Sequence, residues 1–143
     1  ISLARSQIVT DQQIAQVKQL LAGAGALYEI EEKLMDPATA VAGCGPAFVY
    51  QMIEAMADAG VSLGLSREKA LQMAAQTFRG ASQMVLETGE HPANLRDAVC
   101  SPGGSTIAGV NRLEQVGLRG DIIVGVEAAY KRTQEMGQEA GRN

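Results

Sequence analysis

The stretch Arg96-Asp97-Ala98-Val99-Cys100-Ser101-Pro102-Gly103-Gly104-Ser105-Thr106-Ile107-Ala108-Gly109 decides how the rest of the chain is read. Ser101 and Pro102 open a turn. Gly103-Gly104 lets the backbone take unusual φ/ψ and come close to a ligand. Ser105 and Thr106 lead into Ile107, Val110, Leu113 and Val116, an apolar series at helical spacing. A helix start behind two glycines presents free N–H groups and a positive dipole end, which suits a carboxylate or phosphate. The residues alone leave two readings open. One is an anion-gripping loop; the other is a glycine turn closed by Ser105 and Thr106 as helix caps, a role such residues favour anyway.

Outward from this loop the pattern is helical. Pro46 is expected as a first helical residue after Gly45, with Val49, Met52, Ile53, Met56, Ala57 and Gly60 as one apolar face. Ser66 is expected to cap the next helix. Its main stripe is Leu71, Ala74, Ala75, Phe78, Ala81 and Val85, and Met73, Thr77, Gly80 and Met84 form a second, weakly polar stripe. A helix apolar on two sides is buried on two sides, against a second subunit or inside one bundle. Pro92 starts a short helix to about Val99. Another runs from about Gly104 to Gln115 and is ended by Gly117. The last spans about Arg119 to Met136, with Ile122, Ile123, Val126, Ala129, Tyr130 and Thr133 inward. The tail from Gly137 to Asn143 is expected to be disordered.

Residues 1–36 have a different texture. Leu3 to Arg5 and Leu27, Tyr28 and Ile30 are strand candidates. Between them Thr10 and Gln13 fit a capping box, followed by Ile14, Val17, Leu21 and Ala24 at helical spacing, and Gly23 and Gly25 stop that helix. Asp36-Pro37 starts a short helix through Val41.

Composition sets the outer limits. At 143 residues and 46% apolar content with no Trp, the core must be built from Ala, Val, Leu, Ile and Met. The net charge of −4 gives no basic footprint for nucleic acid. No apolar run is long enough for a bilayer. Two cysteines without a disulfide framework indicate a reducing, cytoplasmic setting. No cluster has metal-ligand spacing. His91, the single histidine, precedes Pro92 at a helix start and reads as a capping or surface residue rather than a base. Cys100-Ser101 has no histidine in a plausible triad order.

Three blocks together resemble pyrroline-5-carboxylate reductases: the run through Ser101-Pro102-Gly103-Gly104-Ser105-Thr106; Gly43-Cys44-Gly45-Pro46-Ala47-Phe48-Val49, followed by Glu54 to Val61 and Gly64-Leu65; and Ala74-Ala75-Gln76-Thr77, continuing to Glu87-Thr88-Gly89-Glu90-His91-Pro92. The likeness covers about residues 34 to 136. It implies a mainly α fold, a helical C-terminal dimerisation domain of the 6-phosphogluconate dehydrogenase C-terminal-like type over 37–143. Before it, residues 1–36 would be the end of a Rossmann α/β dinucleotide-binding domain. No Gly-x-Gly-x-x-Gly turn occurs in these residues, so the chain is expected to be a C-terminal piece of a longer enzyme and inactive alone.

The resemblance also implies a reaction, NAD(P)H-dependent reduction of 1-pyrroline-5-carboxylate to L-proline. Ser101, Gly103, Gly104, Ser105 and Thr106 would hold the substrate, with Thr106 beside the ring nitrogen as the catalytic residue. Gly43, Cys44, Gly45 and Pro46 would lie near the nicotinamide of NADP or NAD. The implied partner is a second copy, in a homodimer or higher oligomer. Cys44 and Cys100 stand where the family often has hydroxyl residues, with the glycines intact. Two other classes fit the residues less fully: a non-catalytic dimerisation module that binds a small carboxylate, and a related reductase for another imine or hydroxy acid.

Overall fold

The computed structural model describes residues 1–141. Cα packing divides the chain into two compact units, Ile1–Pro46 with Ile123–Asn143, and Ala47–Ile122.

In the first unit, strand β1 (Ser2–Leu3) pairs in parallel with β2 (Tyr28–Glu29), Ser2 opposite Tyr28 and Leu3 opposite Glu29. Parallel strands need a crossover. Helix α1 (Asp11–Leu20) supplies it, and its start is the capping box expected from Thr10 and Gln13. Gln13 N–H donates to Thr10 Oγ1 at 3.3 Å, and Thr10 N–H donates to Gln13 Oε1 at 2.9 Å. Ile14 is the buried anchor of α1. Gly25, at φ 125°, ends the segment. Glu29 then accepts from Lys18 on α1 at 2.9 Å and pairs with Arg5 at 3.2 Å. A short helix α2 (Met35–Ala38) runs into a π-helical turn, Thr39–Gly43, where one α-helix to Val41 was expected.

The second unit is built on a helical hairpin, α3 (Gly45–Ser62), whose first two residues belong to the first unit, and α4 (Arg67–Thr88). Pro46 is the second residue of α3, one place later than its sequence position suggested. Ser66 caps α4, its Oγ accepting from Lys69 N–H at 3.4 Å. Gly60 packs closely: a Cβ there would stand 3.1 Å from Ala70 Cβ and 3.3 Å from Leu65 Cδ1. The core is Ala57, Ala70 and Ala74, flanked by Ile53 and Val61. Three buried methyl groups contribute only about 2 kcal/mol. Of the stripe expected inward, Ala74 is buried and Phe78 and Val85 are half-buried. Leu71 and Ala75, expected inward, are exposed, as are Ala81, Met73, Thr77 and Met84. The buried stripe is narrower than expected: α4 turns Ala70 and Ala74 to α3 and leaves Leu71, Met73 and Met84 on a surface that no described residue covers.

Helices α5 (Pro92–Ala98) and α6 (Ser105–Val116) come next, the latter ended by Gly117 in the left-handed conformation at φ 89°. Helix α7 (Leu118–Ala140) crosses from the second unit into the first. Val126, Ala129, Tyr130 and Thr133 are half-buried as expected, but Ile122 and Ile123 are exposed. The expected disorder after Met136 is also corrected: α7 continues through Ala140, with Arg132 bound to Glu135 at 2.9 Å and Glu139 at 3.1 Å. Arg142 and Asn143, the rest of that expected tail, lie outside the described residues.

Candidate functional site

Ser101 to Thr106 form one compact feature of the second unit. Helix α5 delivers the chain to it. The imidazole of His91 accepts from Ala93 N–H at 3.2 Å, so the histidine is the N-cap of α5. Cys100 N–H donates to Asp97 O at 3.0 Å, and Gly104 N–H to Ser101 O at 3.0 Å. The second bond closes a tight turn over Pro102-Gly103. The two glycines serve different needs. Gly103 has φ 69°, the left-handed region that L side chains avoid. Gly104 has φ −75° and ψ 168°, which any residue can adopt. It is close to its neighbour: a Cβ there would displace Ser101 Oγ and stand 3.1 Å from Ser101 O.

Gly104 is also the N-cap of α6, and no side chain caps that end. The capping reading of Ser105 and Thr106 is therefore overturned: they are the first two residues inside α6. The first intrahelical bond runs from Ala108 N–H to Gly104 O at 3.3 Å. The N–H groups of Ser105, Thr106 and Ile107 precede it and, by helix geometry, have no carbonyl one turn back. Thr39, Thr77, Thr88 and Thr133 each donate to a backbone carbonyl four residues back. Thr106 has no such bond; four residues before it lies Pro102, outside the helix. Ser101, Ser105 and Thr106 are exposed. The arrangement offers aligned amide donors, hydroxyl donors and the positive end of a helix to a negatively charged group of small size.

Gly43 to Pro46 belong to the first unit. Cys44 is half-buried in a helical conformation, and its N–H donates to Thr39 O at 2.9 Å. A Cβ on Gly45 would meet nothing within 4 Å, leaving open space beside the backbone.

A cleft of about 530 Å³ in the second unit went unnoticed in the sequence; His91, Arg96, Val110, Leu113, Glu114 and Arg119 line it. Its residues come from three helices, so no local pattern marks it. Arg96 is committed to its neighbour: its Nε and Nη2 lie 3.1 and 2.9 Å from Asp97 Oδ1, and that hydrogen bond raises its pKa above the usual arginine value. None of Ser101 to Thr106 lines this cleft. Among the described residues no group of three or more His, Cys, Asp and Glu could hold a metal ion. No helix among them is long and apolar enough to cross a membrane.

Comparison with known proteins adds independent findings. Residues 32–136 match the family model described as pyrroline-5-carboxylate reductase dimerisation. A pyrroline-5-carboxylate reductase of Synechocystis is 47% identical over 138 residues, 96% of this chain and 52% of that protein. One from Glycine max is 48% identical over 120 residues, 84% of this chain and 44% of that protein. Among solved structures, Plasmodium falciparum pyrroline carboxylate reductase with NADP bound aligns with TM-score 0.85 and 38% identity, covering 95% of this chain and 56% of that one. The enzyme from Coxiella burnetii aligns with TM-score 0.89 and 32% identity, over 94% of this chain and 50% of that one. The chain spans about half the length of the curated relatives it matches.

Proposed function

The chain belongs to the pyrroline-5-carboxylate reductase family, and from that premise we propose that it supplies the substrate-holding and subunit-pairing part of an enzyme reducing 1-pyrroline-5-carboxylate to L-proline. Residues 1–36 are read as the end of a dinucleotide-binding domain and residues 37–143 as the helical dimerisation domain. The observation that carries the site is the uncapped start of α6 behind Gly104. The substrate carboxylate accepts from the N–H groups of Ser105 and Thr106, with the Ser101 hydroxyl as a further donor.

A nicotinamide coenzyme, NADP or NAD, supplies hydride to the imine carbon when bound. This chain has residues for only one end of it: Gly43, Cys44, Gly45 and Pro46, where the open space at Gly45 lets a flat ring approach the backbone. As the C=N bond becomes C–N, the ring nitrogen takes a proton. Thr106 is the residue that donates to that nitrogen, since its hydroxyl is free of the backbone bond that ties the other helical threonines. The setting we infer is cytoplasmic, and the working form a homodimer.

The 143 residues contain no Gly-x-Gly-x-x-Gly turn, which favours a second reading of the chain by itself: a pairing and carboxylate-binding module without turnover. Oxidation of NADPH by the full-length protein, with pyrroline-5-carboxylate and with other imines and hydroxy acids, tests the assignment. Turnover of the pyrroline at least as fast as of any other substrate is expected. Preference for a different imine or a hydroxy acid would reassign the enzyme within its wider fold group.

A further inference from the structure

We propose that Thr39 is a positioning residue that holds the π turn before Gly43-Cys44-Gly45-Pro46 and thereby governs coenzyme binding, an inference resting on the reading of that loop as coenzyme-facing. Nothing in the composition of Thr39-Ala40-Val41-Ala42 asks for a π turn; alanine favours the α-helix. Single π turns are rare and recur at functional sites. This one spans five residues, Thr39–Gly43, and leads directly into Cys44.

Thr39 grips the turn in three ways. Its carbonyl accepts the Cys44 N–H at 2.9 Å, five residues on, which is the bond that makes the turn wide. Its Oγ1 donates to Met35 O at 2.9 Å, the carbonyl that its own N–H also reaches. Its methyl Cγ2 lies over Gly43, 3.4 Å from where a Cβ there would stand. Pro46 completes the arrangement, because it has no N–H to give Ala42 O in the α register. The extra residue absorbs that mismatch. One residue inserted in a helix rotates the chain beyond it by about 100°. Without the turn, Gly45 and Pro46 would face a different direction.

The bond from Oγ1 is not enough by itself. Thr77, Thr88 and Thr133 donate to the carbonyl four residues back within or at the end of ordinary α-helix. Such bonds bend helices slightly. What differs at Thr39 is that its carbonyl takes the Cys44 N–H five residues on and that Pro46 follows. Thr133→Val is therefore a matched control, losing the same kind of bond in a different helix.

The test uses the full-length protein with Thr39→Val, Thr39→Ser, Thr133→Val and Gly45→Val. Coenzyme Kd is read from nicotinamide fluorescence, together with kcat, KM and amide exchange of the peptide containing Cys44. Thr39→Val should weaken coenzyme binding about tenfold and speed exchange at Cys44, with kcat changed less than about twofold. Thr39→Ser keeps the hydroxyl and should restore wild-type values. Thr133→Val should melt like Thr39→Val yet bind coenzyme normally. Unchanged coenzyme Kd in Thr39→Val, or equal weakening in Thr133→Val, overturns the proposal. Gly45→Val separates the two levels: if it weakens coenzyme binding while Thr39→Val does not, the loop reading stands and the positioning role falls. If Gly45→Val has no effect, the coenzyme-facing reading of the loop fails, and the proposal with it.

Discussion

Thr106 and the two glycines before it make separable claims. In the full-length enzyme Thr106→Ala should lower kcat more than it raises KM. Its backbone N–H can hold the carboxylate whatever the side chain, so ground-state binding survives. The lost hydroxyl is felt where the nitrogen takes its proton. Proton donation of this kind is typically about 10² to 10⁴-fold. An unchanged kcat with a lowered melting temperature would sink the catalytic role. Gly103→Ala and Gly104→Val should fail for different reasons. Gly103→Ala forces a side chain into φ 69°, costing about 1–2 kcal/mol of stability visible in a thermal melt. Gly104→Val has acceptable φ/ψ but collides with Ser101. It should raise KM steeply by pushing the Ser101 turn away from α6. Equal KM effects from both substitutions would contradict this division.

Glu29 gives a pH-dependent claim at the same scale. The hydrogen bond from Lys18 holds its carboxyl below the ordinary glutamate value, with Arg5 acting in the same sense. A carboxyl depressed in the folded state stabilises above its unfolded value, and that contribution is lost as pH falls through the folded value. Lys18→Met should therefore move the Glu29 midpoint, followed by carboxyl NMR, upward. An unmoved midpoint would show that Lys18 does not hold it.

At the scale of the element, α4 is the informative helix. Its small face, Ala70 and Ala74, meets α3, while Leu71, Met73, Met84 and Leu86 remain exposed. Gly80 has nothing within 4 Å of where its Cβ would stand. A Cβ at Gly80 is therefore unobstructed within this chain, and Ala75 is exposed, so Gly80→Leu and Ala75→Leu probe that face. If a second copy packs on this face, each leucine should weaken the dimer while leaving the helical signal intact. Sedimentation at several concentrations reads the difference, and an unchanged dimer would place the interface elsewhere. Helix limits were legible in the sequence wherever a cap is local: Thr10 with Gln13, Ser66, His91 and Gly117 all act within one turn of themselves. The face each helix buries was less legible. Both Ala70 and Leu71 are apolar, and only the approach of α3 around Gly60 selects the smaller one.

For the whole molecule, the small alanine core and the exposed apolar residues of α4 and α7 fit a chain that pairs, as the dimerisation family it matches does. An obligate interface of about 2,000 Å² or more is expected. Light scattering at micromolar concentration should give twice the chain mass, and a monomer would count against pairing. The 143 residues expressed alone should not turn over pyrroline-5-carboxylate with NADPH, because no glycine turn for the pyrophosphate is among them. Measured turnover by the purified chain would refute that.

Sequence by itself determined the helical class, the caps at Thr10, Ser66 and His91, the glycine loop at Ser101 to Thr106 and the family likeness, because each depends on residues close together along the chain. Tertiary structure decided the rest. It set which face of α4 meets α3, Ala70 and Ala74 in place of Leu71 and Ala75. It left Ile122 and Ile123 of α7 exposed and carried that helix to Ala140. Those outcomes turn on which atoms meet in space, and a linear pattern of polar and apolar residues does not contain that information.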